Sequence, residues 1–194
     1  MYLTINCLGG DFMEVLHNRN DISFGVANEF NSKYLTPIIQ NLLFKVENEW
    51  DDYNEVYHCC NLIERVRNNK DMNMDFHLMV KDKQYIGIAL VSRGNIDTKT
   101  FFKEPISLSE NTNDILIFNY FHISQQGRGN GQFWFKDIIM PYYKAQNFKT
   151  LYVKSSHQKV FSMYSRLGEE IGEYTSSSDN QLFVRKGKVF KITL

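Results

Sequence analysis

The chain has 194 residues, of which 43% are hydrophobic and 14% aromatic, so residues 1–194 are expected to form one domain around a single core. Its 22 basic and 22 acidic residues cancel, and no nucleic-acid-binding motif is present, so nucleic acid is not an expected partner. The chain has no apolar run long enough to cross a membrane and no N-terminal signal pattern, so we expect a cytoplasmic protein without a membrane partner.

The first half of the chain predicts an edge strand at residues 21–26 and then two helices. Thr36 and Pro37 suit the N-cap and the first position of the first helix. Asp52 and Glu55 have the spacing of a capping box, which predicts Asp52 as the N-cap of the second helix. The predicted apolar stripes are Leu35, Ile38, Ile39, Leu42, Leu43 and Val46 in the first helix, and Tyr53, Val56, Tyr57, Cys60 and Ile63 in the second.

A hairpin and a loop lead to the most informative part of the chain. Alternating apolar residues at 76–80 and 85–91 flank a short polar turn at 81–84, which predicts a hairpin. Residues 94–113 contain a proline and several turn formers, so they predict a loop. The apolar run at 115–123 predicts a buried central strand.

The cysteines argue against a metal site. Cys59 and Cys60 are adjacent in the second predicted helix and Cys7 stands alone, so the three lack the spacing of a metal-ligand set. We therefore expect reduced thiols and no bound metal, as in most cytosolic proteins.

A glycine-rich segment follows the central strand directly. Residues 126–131 read Gln-Gly-Arg-Gly-Asn-Gly, and the residues after them have a helical pattern. A strand, a glycine-rich turn and a helix N-terminus together expose main-chain N–H groups that bind phosphate. Glycines on alternate positions leave the main chain open to an anion, and Arg128 adds a cationic donor.

The spacing of these glycines narrows the class of cofactor. Gln132 stands where a dinucleotide fingerprint needs its third glycine, and no Lys-Ser or Lys-Thr follows Gly131, as a P-loop requires. A phosphate-bearing cofactor of another kind is therefore expected here. The alternative is a tight turn that only joins a strand to a helix.

The remaining residues predict further alternation of strands and helices. Pro141 is expected to kink or end the helix after the glycine loop. Residues 151–154 predict a strand, and Ser156 and Gly168 bound a second helix as N-cap and C-terminal stop. Closing strands are predicted at 170–174, 181–184 and 188–194. This order predicts an α+β domain with a central mixed sheet.

The glycine loop resembles the coenzyme A-binding signature of the GCN5-related N-acetyltransferase (GNAT) family, Arg/Gln-x-x-Gly-x-Gly/Ala. Gln126, Gly129 and Gly131 match it. In that family the loop amides hold the coenzyme A pyrophosphate. The predicted order of elements also resembles the order in the family, including the two helices before the hairpin.

A second GNAT signature, Asn-x-x-Ala-x-x-Leu-Tyr-x-x-x-Gly-Phe, is matched in part. Tyr164 and Gly168 agree with it, whereas His157 replaces the asparagine and Glu169 replaces the phenylalanine. The two motifs together cover roughly the C-terminal two fifths of the chain. The two departures affect the inferences about the acceptor more than those about the cofactor.

The resemblance implies a GNAT-like mixed sheet of about six to seven strands flanked by about four helices. It also implies that acetyl-coenzyme A is the cosubstrate and that the acetyl group moves directly to an amine acceptor in a ternary complex. The acceptor would be a small-molecule or peptide amine, and relatives often form homodimers. The alternative function is a non-catalytic module that binds an acyl-coenzyme A and signals to a partner.

By the same resemblance, the glycine loop and the end of the central strand hold the cofactor. The main chain of Phe121 and Ile123 is expected to face the pantetheine arm. The complete set of expected cofactor-binding residues is Phe121, His122, Ile123, Gln126, Gly127, Arg128, Gly129, Asn130, Gly131, His157 and Tyr164.

Three residues are candidates for the chemistry. Tyr164 matches the family's general acid, since a phenol can protonate the leaving thiolate, although a tyrosine on an apolar helix face is often a core residue. Asp114 and His122 are candidates for the general base, with Glu110 and His157 as alternatives. A surface or structural role explains each of these four side chains better than a catalytic one.

Two residues are expected to bind the acceptor. Asn119 lies on the central strand, where it can orient an amine or satisfy a neighbouring main-chain group. Asp52 belongs to an acidic cluster between the first two helices, and such a cluster attracts cations. A solvated helix end explains the cluster as well. Its other members are Glu47, Glu49, Asp51 and Glu55.

Overall fold

Nine strands within the described ranges form one continuous sheet. The structure is a computed structural model that describes residues 4–7, 11–48, 54–102, 108, 110–177, 181 and 184–194. The strands are β1 (Thr4–Cys7), β2 (Asp11–Arg19), β3 (Ile22–Ala27), β4 (Met72–Lys81), β5 (Gln84–Gly94), β6 (Ile115–Ile123), β7 (Thr150–Ser155), β8 (Glu169–Ser177) and β9 (Val184–Thr193). Their order in the sheet is β1-β2-β3-β4-β5-β6-β7-β9-β8.

In the part of the chain that the structure describes, four α-helices pack on this sheet. They are α1 (Thr36–Asn48), α2 (Glu55–Arg67), α3 (residues 131–145) and α4 (Gln158–Leu167). The mixed α+β class and the hairpin of β4 and β5 are confirmed, and the nine strands exceed the expected number, about six to seven. The prediction that residues 21–26 form an edge strand is wrong, because β1 and β2 lie outside β3.

The two faces of the sheet carry separate hydrophobic clusters. On one face α1 and α2 bury side chains such as Ile38 and Leu62 against Leu78 and Ile88. On the other face α3 and α4 pack against the sheet; the side chains buried there include Phe24, Phe118, Trp134, Phe135, Tyr164 and Phe190. Burying one such side chain contributes about 1.5–3 kcal/mol, so each face fixes its helices firmly. In the described part of the chain, the helices are too short or too polar to span a bilayer.

The starts of α1 and α2 differ from the predicted capping. Thr36 is already helical, and its hydroxyl donates to the Lys33 carbonyl at 2.6 Å, so it is not the N-cap. The N-cap of α2 is Asn54, whose side chain accepts from the Tyr57 amide at 3.0 Å. Asp52, the predicted cap, lies outside the described residues.

The buried faces of α1 and α2 are narrower than the predicted stripes. Ile39 and Leu43 of α1 are exposed. Tyr57 and Cys60 of α2 are exposed as well, and the buried face of that helix is formed by Cys59, Leu62, Ile63 and Val66. The buried cysteine is therefore Cys59 rather than the predicted Cys60.

Pro141 neither ends nor interrupts α3. The turn before it is a π-helix, Trp134–Ile139, in which the Met140 amide donates to the carbonyl of Phe135, five residues earlier. This wider turn accommodates the proline ring and its missing N–H without breaking the helix. At α4 the N-cap is His157 rather than Ser156, and Gly168 ends the helix as predicted.

A buried polar network ties α3 to the sheet. The Tyr143 hydroxyl donates to Asp75 Oδ2 at 2.9 Å, and Arg93 Nε donates to the same oxygen at 2.8 Å. His77 Nε2 lies 2.9 Å from the Tyr143 oxygen. Because the only hydroxyl proton of Tyr143 goes to Asp75, His77 must donate from Nε2, and its Nδ1 carries no proton.

This network should make the stability of the protein depend on pH. Burial lowers the pKa of His77 to about 3, whereas the unfolded chain protonates near its ordinary value. Between these two values only the unfolded state binds the proton, so the free energy of unfolding should fall by about 1.4 kcal/mol per pH unit below about pH 6.5. Urea denaturation from pH 7.5 to 5 should show a smaller decrease for His77→Gln than for the wild type. If the free energy of unfolding changes equally with pH in both proteins, His77 is not the group responsible.

Candidate functional site

A gap opens in the sheet between β6 and β7. These strands pair in parallel from Ile115 with Thr150 to Phe118 with Val153, and no further pairs follow. The next residues of β7, Lys154 and Ser155, continue to pair with β9. The strands therefore separate after Phe118, which leaves one edge of the second half of β6 unpaired within the described part of the sheet.

Main-chain groups of β6 point into this gap. The Ser124 amide donates to the Ile86 carbonyl at 2.8 Å on the β5 side. In an antiparallel ladder the residues that bond to one neighbour alternate, so Phe121 and Ile123 direct their N–H and C=O groups away from β5. These groups face the gap and can pair with an extended ligand as an added strand would.

A β-bulge changes the direction of the side chains on β6. Between the pairs Ala89 with Phe121 and Val91 with Phe118, β6 has one residue more than β5. Before the bulge Phe118 faces α3, whereas after it Tyr120 packs on the α1 and α2 side. Such a bulge reorients side chains at a site. It places Tyr120 and His122 on the side of the sheet opposite α3.

The three glycines of the loop after β6 serve different purposes. Gly129 has φ +87°, which an L side chain adopts only with strain, and a Cβ there would meet no atom within 4 Å. A Cβ on Gly127 would lie 2.7 Å from Ile123 Cγ2, and one on Gly131 would lie 3.0 Å from Ile123 Cδ1. Gly127 and Gly131 therefore also allow close packing against Ile123, whereas a side chain at Gly129 would meet open space.

The loop ends at the N-terminus of α3. The amides of residues 131–133, the first of the helix, have no acceptor within it. The helix dipole adds positive potential at this point. The loop holds its own shape, since the Asn130 side-chain amide donates to the Gly127 carbonyl at 3.1 Å. Gln126 and Arg128 are exposed, and Arg128 adds a cationic side chain to the loop. The arrangement suits a phosphate or pyrophosphate.

His122 lies in a polar cluster between β6 and the first two helices. Its Nδ1 is 3.3 Å from Asn41 Nδ2 of α1 and 3.9 Å from Glu55 Oε2 of α2. Lys45 Nζ donates to the other carboxylate oxygen, Oε1, at 2.9 Å. The ring of Tyr120 stacks on the imidazole, with centroids 6.0 Å apart. The cluster offers a titratable group beside the gap.

The pKa of His122 is set by competing effects. Burial lowers it most, and the Glu55 carboxylate acts in the opposite direction. Lys45 and His157 lower the pKa of His122 further. His157 is exposed, but it lies close enough to His122 for their charges to interact. His122 is therefore neutral at neutral pH and able to accept a proton.

Tyr164 lies close to the point where the strands separate. Its ring packs against Phe135 of α3 at 5.6 Å and against Phe190 at 5.5 Å. Phe135 in turn contacts Phe118, the last residue of β6 that pairs with β7. Burial raises the pKa of the Tyr164 hydroxyl, so the side chain keeps its proton at neutral pH. Both the acid role and the core role predicted for it remain compatible with this position.

Several predicted residues are not brought to the gap. Asp114 binds Lys149 Nζ at 2.6 Å at the opposite end of β6, roughly 25 Å from His122 at the strand rise of about 3.3 Å per residue. Glu110 accepts from the Tyr152 hydroxyl at 2.7 Å through Oε2 and pairs with Lys191 through Oε1, so both of its carboxylate oxygens are engaged. These bonds lower the pKa of Glu110 to about 2, which makes it a poor base.

The two predicted acceptor residues have different outcomes. Asn119 Nδ2 donates to the Ser92 hydroxyl of β5 at 3.0 Å and to the Ile117 carbonyl of β6 at 3.1 Å. The amide group therefore forms its hydrogen bonds within the sheet, at the bulge. Asp52 lies outside the described residues. Asn41 and Lys45, which the sequence did not single out, join Glu55 at His122 instead. These contacts link distant parts of the chain, and only the fold reveals them.

The sequence matches no protein-family model and no curated protein, whereas the fold is similar to solved structures. The chain is similar to a GNAT-superfamily phosphinothricin acetyltransferase from Sinorhizobium meliloti in complex with acetyl-coenzyme A, with 13% identity, a TM-score of 0.53 and coverage of 87% of both chains. It is also similar to ribosomal-protein-alanine N-acetyltransferase from Brucella melitensis, with 13% identity, a TM-score of 0.51 and coverage of 87% of this chain and 99% of that one.

A plant structure shows the same likeness. NAA60 from Arabidopsis thaliana, solved with a bisubstrate analogue, has 11% identity, a TM-score of 0.51 and coverage of 88% of this chain and 99% of that one. At such identities the likeness concerns the fold. This chain therefore shares the fold of these acetyltransferase structures, which is the fold that the resemblance of its two motifs implied.

Proposed function

We propose that this protein is an N-acetyltransferase that moves the acetyl group of acetyl-coenzyme A directly to an amine acceptor. The observation that carries the proposal is the gap between β6 and β7 that leads into the glycine loop and the N-terminus of α3. An extended arm with a pyrophosphate at one end matches both parts of this arrangement.

The cofactor would bind along β6. The amides of Gly129 and of the first residues of α3 would hold the pyrophosphate, with Arg128 and Gln126 beside it. The pantetheine arm would pair with the main chain of Phe121 and Ile123 in the gap. The thioester would then lie in the gap between the end of β6 that carries His122 on one face and the separation point near Tyr164 on the other face.

The chemistry needs a proton acceptor and a proton donor. The amine nitrogen attacks the acetyl carbon, the carbon–sulfur bond breaks, and its electron pair stays on sulfur. His122 would take the proton from nitrogen, since it is neutral and near the gap. Tyr164 would protonate the leaving thiolate. Positioning both substrates in one complex supplies a large part of the rate.

The proposed acceptor is an amine of a small molecule or of a peptide. The similar structures include a phosphinothricin acetyltransferase and a ribosomal-protein-alanine N-acetyltransferase, which supports this class. The acceptor would approach from the α1 and α2 side, where Glu55 and His122 lie. We further propose a single domain over residues 1–194, a cytoplasmic location and, by the family resemblance, a homodimer.

A transfer assay separates an enzyme from a module that only binds the cofactor. Purified protein should release free coenzyme A thiol from acetyl-coenzyme A only when an amine from a broad panel is present, and mass spectrometry should find the acetylated amine. Thermal stabilisation by acetyl-coenzyme A without acetylation of any amine would favour the binding module. If acetyl-coenzyme A neither stabilises the protein nor releases its thiol, both functions are contradicted.

A further inference from the structure

The Glu55 carboxylate has one oxygen that the structure leaves without a hydrogen-bond donor. Oε1 accepts from Lys45 at 2.9 Å, whereas Oε2 is buried and has no hydrogen-bond partner among the described residues. A buried acceptor without a donor costs free energy, and more so when it is charged. His122 Nδ1 lies 3.9 Å from this oxygen. The side chains are 15% exposed for His122 and 14% exposed for Glu55.

The same nitrogen has a second neighbour with the opposite demand. The Asn41 amide nitrogen, at 3.3 Å, can donate to Nδ1 only if Nδ1 carries no proton. Glu55 Oε2 gains a donor only if Nδ1 does carry one. An asparagine amide can turn its oxygen toward Nδ1 at no chemical cost, whereas a carboxylate has no donor to offer. The tautomer with the proton on Nδ1 is therefore the one that offers a donor to Oε2, once the 3.9 Å separation of these two atoms closes to hydrogen-bond distance.

We propose that Glu55 is a positioning residue that holds the His122 proton on Nδ1, so that the Nε2 lone pair is free to take a proton from the acceptor amine. This inference rests on the proposed function, in which His122 is the base. As the amine nitrogen bonds to the acetyl carbon, its proton goes to Nε2. The resulting imidazolium then has its Nδ1–H directed at the Glu55 carboxylate, which stabilises the charge.

Charged groups from three segments act on the imidazole. Glu55 of α2 favours the protonated ring, while Lys45 of α1 and His157 before α4 disfavour it. Lys45 also fixes the carboxylate, since its bond to Oε1 leaves only Oε2 for the histidine. Removing the Glu55 charge should therefore lower the pKa of His122 as well as release the tautomer.

The tautomer can be read directly from the nitrogen-15 chemical shifts of the full-length protein with labelled histidine. Signals of His122 are assigned by their loss in His122→Asn, and they are recorded above the pKa of the ring. The wild type should show a protonated Nδ1 and an unprotonated Nε2. A wild type with the proton on Nε2 overturns the proposal.

Glu55→Gln tests the cause, because an amide NH₂ in place of Oε2 would donate to Nδ1 and move the proton to Nε2. The variant should lose kcat by roughly ten- to a hundredfold, with KM for acetyl-coenzyme A unchanged, and the acid limb of its pH profile should move to lower pH. An unchanged tautomer or an unchanged kcat in this variant overturns the proposal.

Two further variants separate Glu55 from its neighbours. Glu64→Gln removes an exposed charge of α2 that lies more than two turns after Glu55, and it should change neither the tautomer nor kcat. Asn41→Ala should keep the proton on Nδ1. An equal loss in Glu64→Gln would assign the effect to the general field, and a shifted proton in Asn41→Ala would assign it to Asn41; both overturn the proposal. The nitrogen shifts decide the role of Glu55 even if no amine is acetylated.

Discussion

Replacing Tyr164 by phenylalanine should lower kcat about a hundredfold or more while acetyl-coenzyme A binds almost as tightly as before. The variant loses only the proton that would go to the leaving thiolate, and general acid catalysis contributes roughly 10²–10⁴ in rate. The ring contacts with Phe135 and Phe190 remain, so the binding gap keeps its shape. Steady-state kinetics and calorimetric titration measure the two effects separately.

A matched change at Tyr152 controls for the loss of a hydroxyl. This residue is buried on β7 next to Ile117 of β6, and its hydroxyl donates to Glu110 on the α1 and α2 face of the sheet, opposite the face on which Tyr164 lies. Tyr152→Phe should leave kcat within about twofold, although it removes a hydrogen bond of about 1 kcal/mol. If Tyr164→Phe keeps the wild-type kcat, Tyr164 is a core residue and another group protonates the thiolate.

Replacing Gly129 by alanine should weaken the binding of acetyl-coenzyme A at least tenfold. The residue has φ +87°, so an alanine strains the loop by about 1–2 kcal/mol, and relaxing that strain turns the loop amides away from their present direction. A tenfold loss of affinity corresponds to about 1.4 kcal/mol. Calorimetry at a temperature where both proteins are folded measures it.

Gly172 on β8 is the control for this substitution. A Cβ there also meets no atom within 4 Å, but its backbone lies outside the positive-φ region and far from the glycine loop along the sheet. Gly172→Ala should leave the affinity unchanged. Equal affinities of the Gly129→Ala variant and the wild type would mean that the loop amides do not hold the cofactor.

The C-terminal part of the fold could be predicted because its signals are local. The apolar run of β6, the glycine loop and the stripe of α4 each fall within a short stretch, and the structure confirms these elements. Strand β2 gave no such signal. Its buried residues Met13 and Val15 alternate correctly, but the apolar neighbours Phe12 and Leu16 obscure the period of two.

Errors in the helices have equally specific causes. In α2 the two adjacent cysteines fit an apolar stripe in either of two registers, and the true register depends on the start of the helix at Glu55. The π-turn before Pro141 depends on packing of α3 against the sheet, which a propensity argument does not contain.

The site was only partly predictable for a related reason. Loop residues and His122 follow from a motif and its neighbour, whereas Asn41 and Lys45 reach the site from α1 across more than seventy residues of chain. The sequence itself argues against Asp114 as the base, because a residue before a nine-residue strand lies at the opposite end from the loop after that strand.

Hydrogen exchange of the main-chain amides, with and without acetyl-coenzyme A, tests the central claim most directly. The account predicts that the ligand slows exchange at Phe121, Ile123 and Gly129 and at residues 131–133, where unpaired amides line the gap and the start of α3. Slowed exchange confined to another part of the sheet, or none at saturating ligand, would contradict the assignment of this gap as the cofactor site.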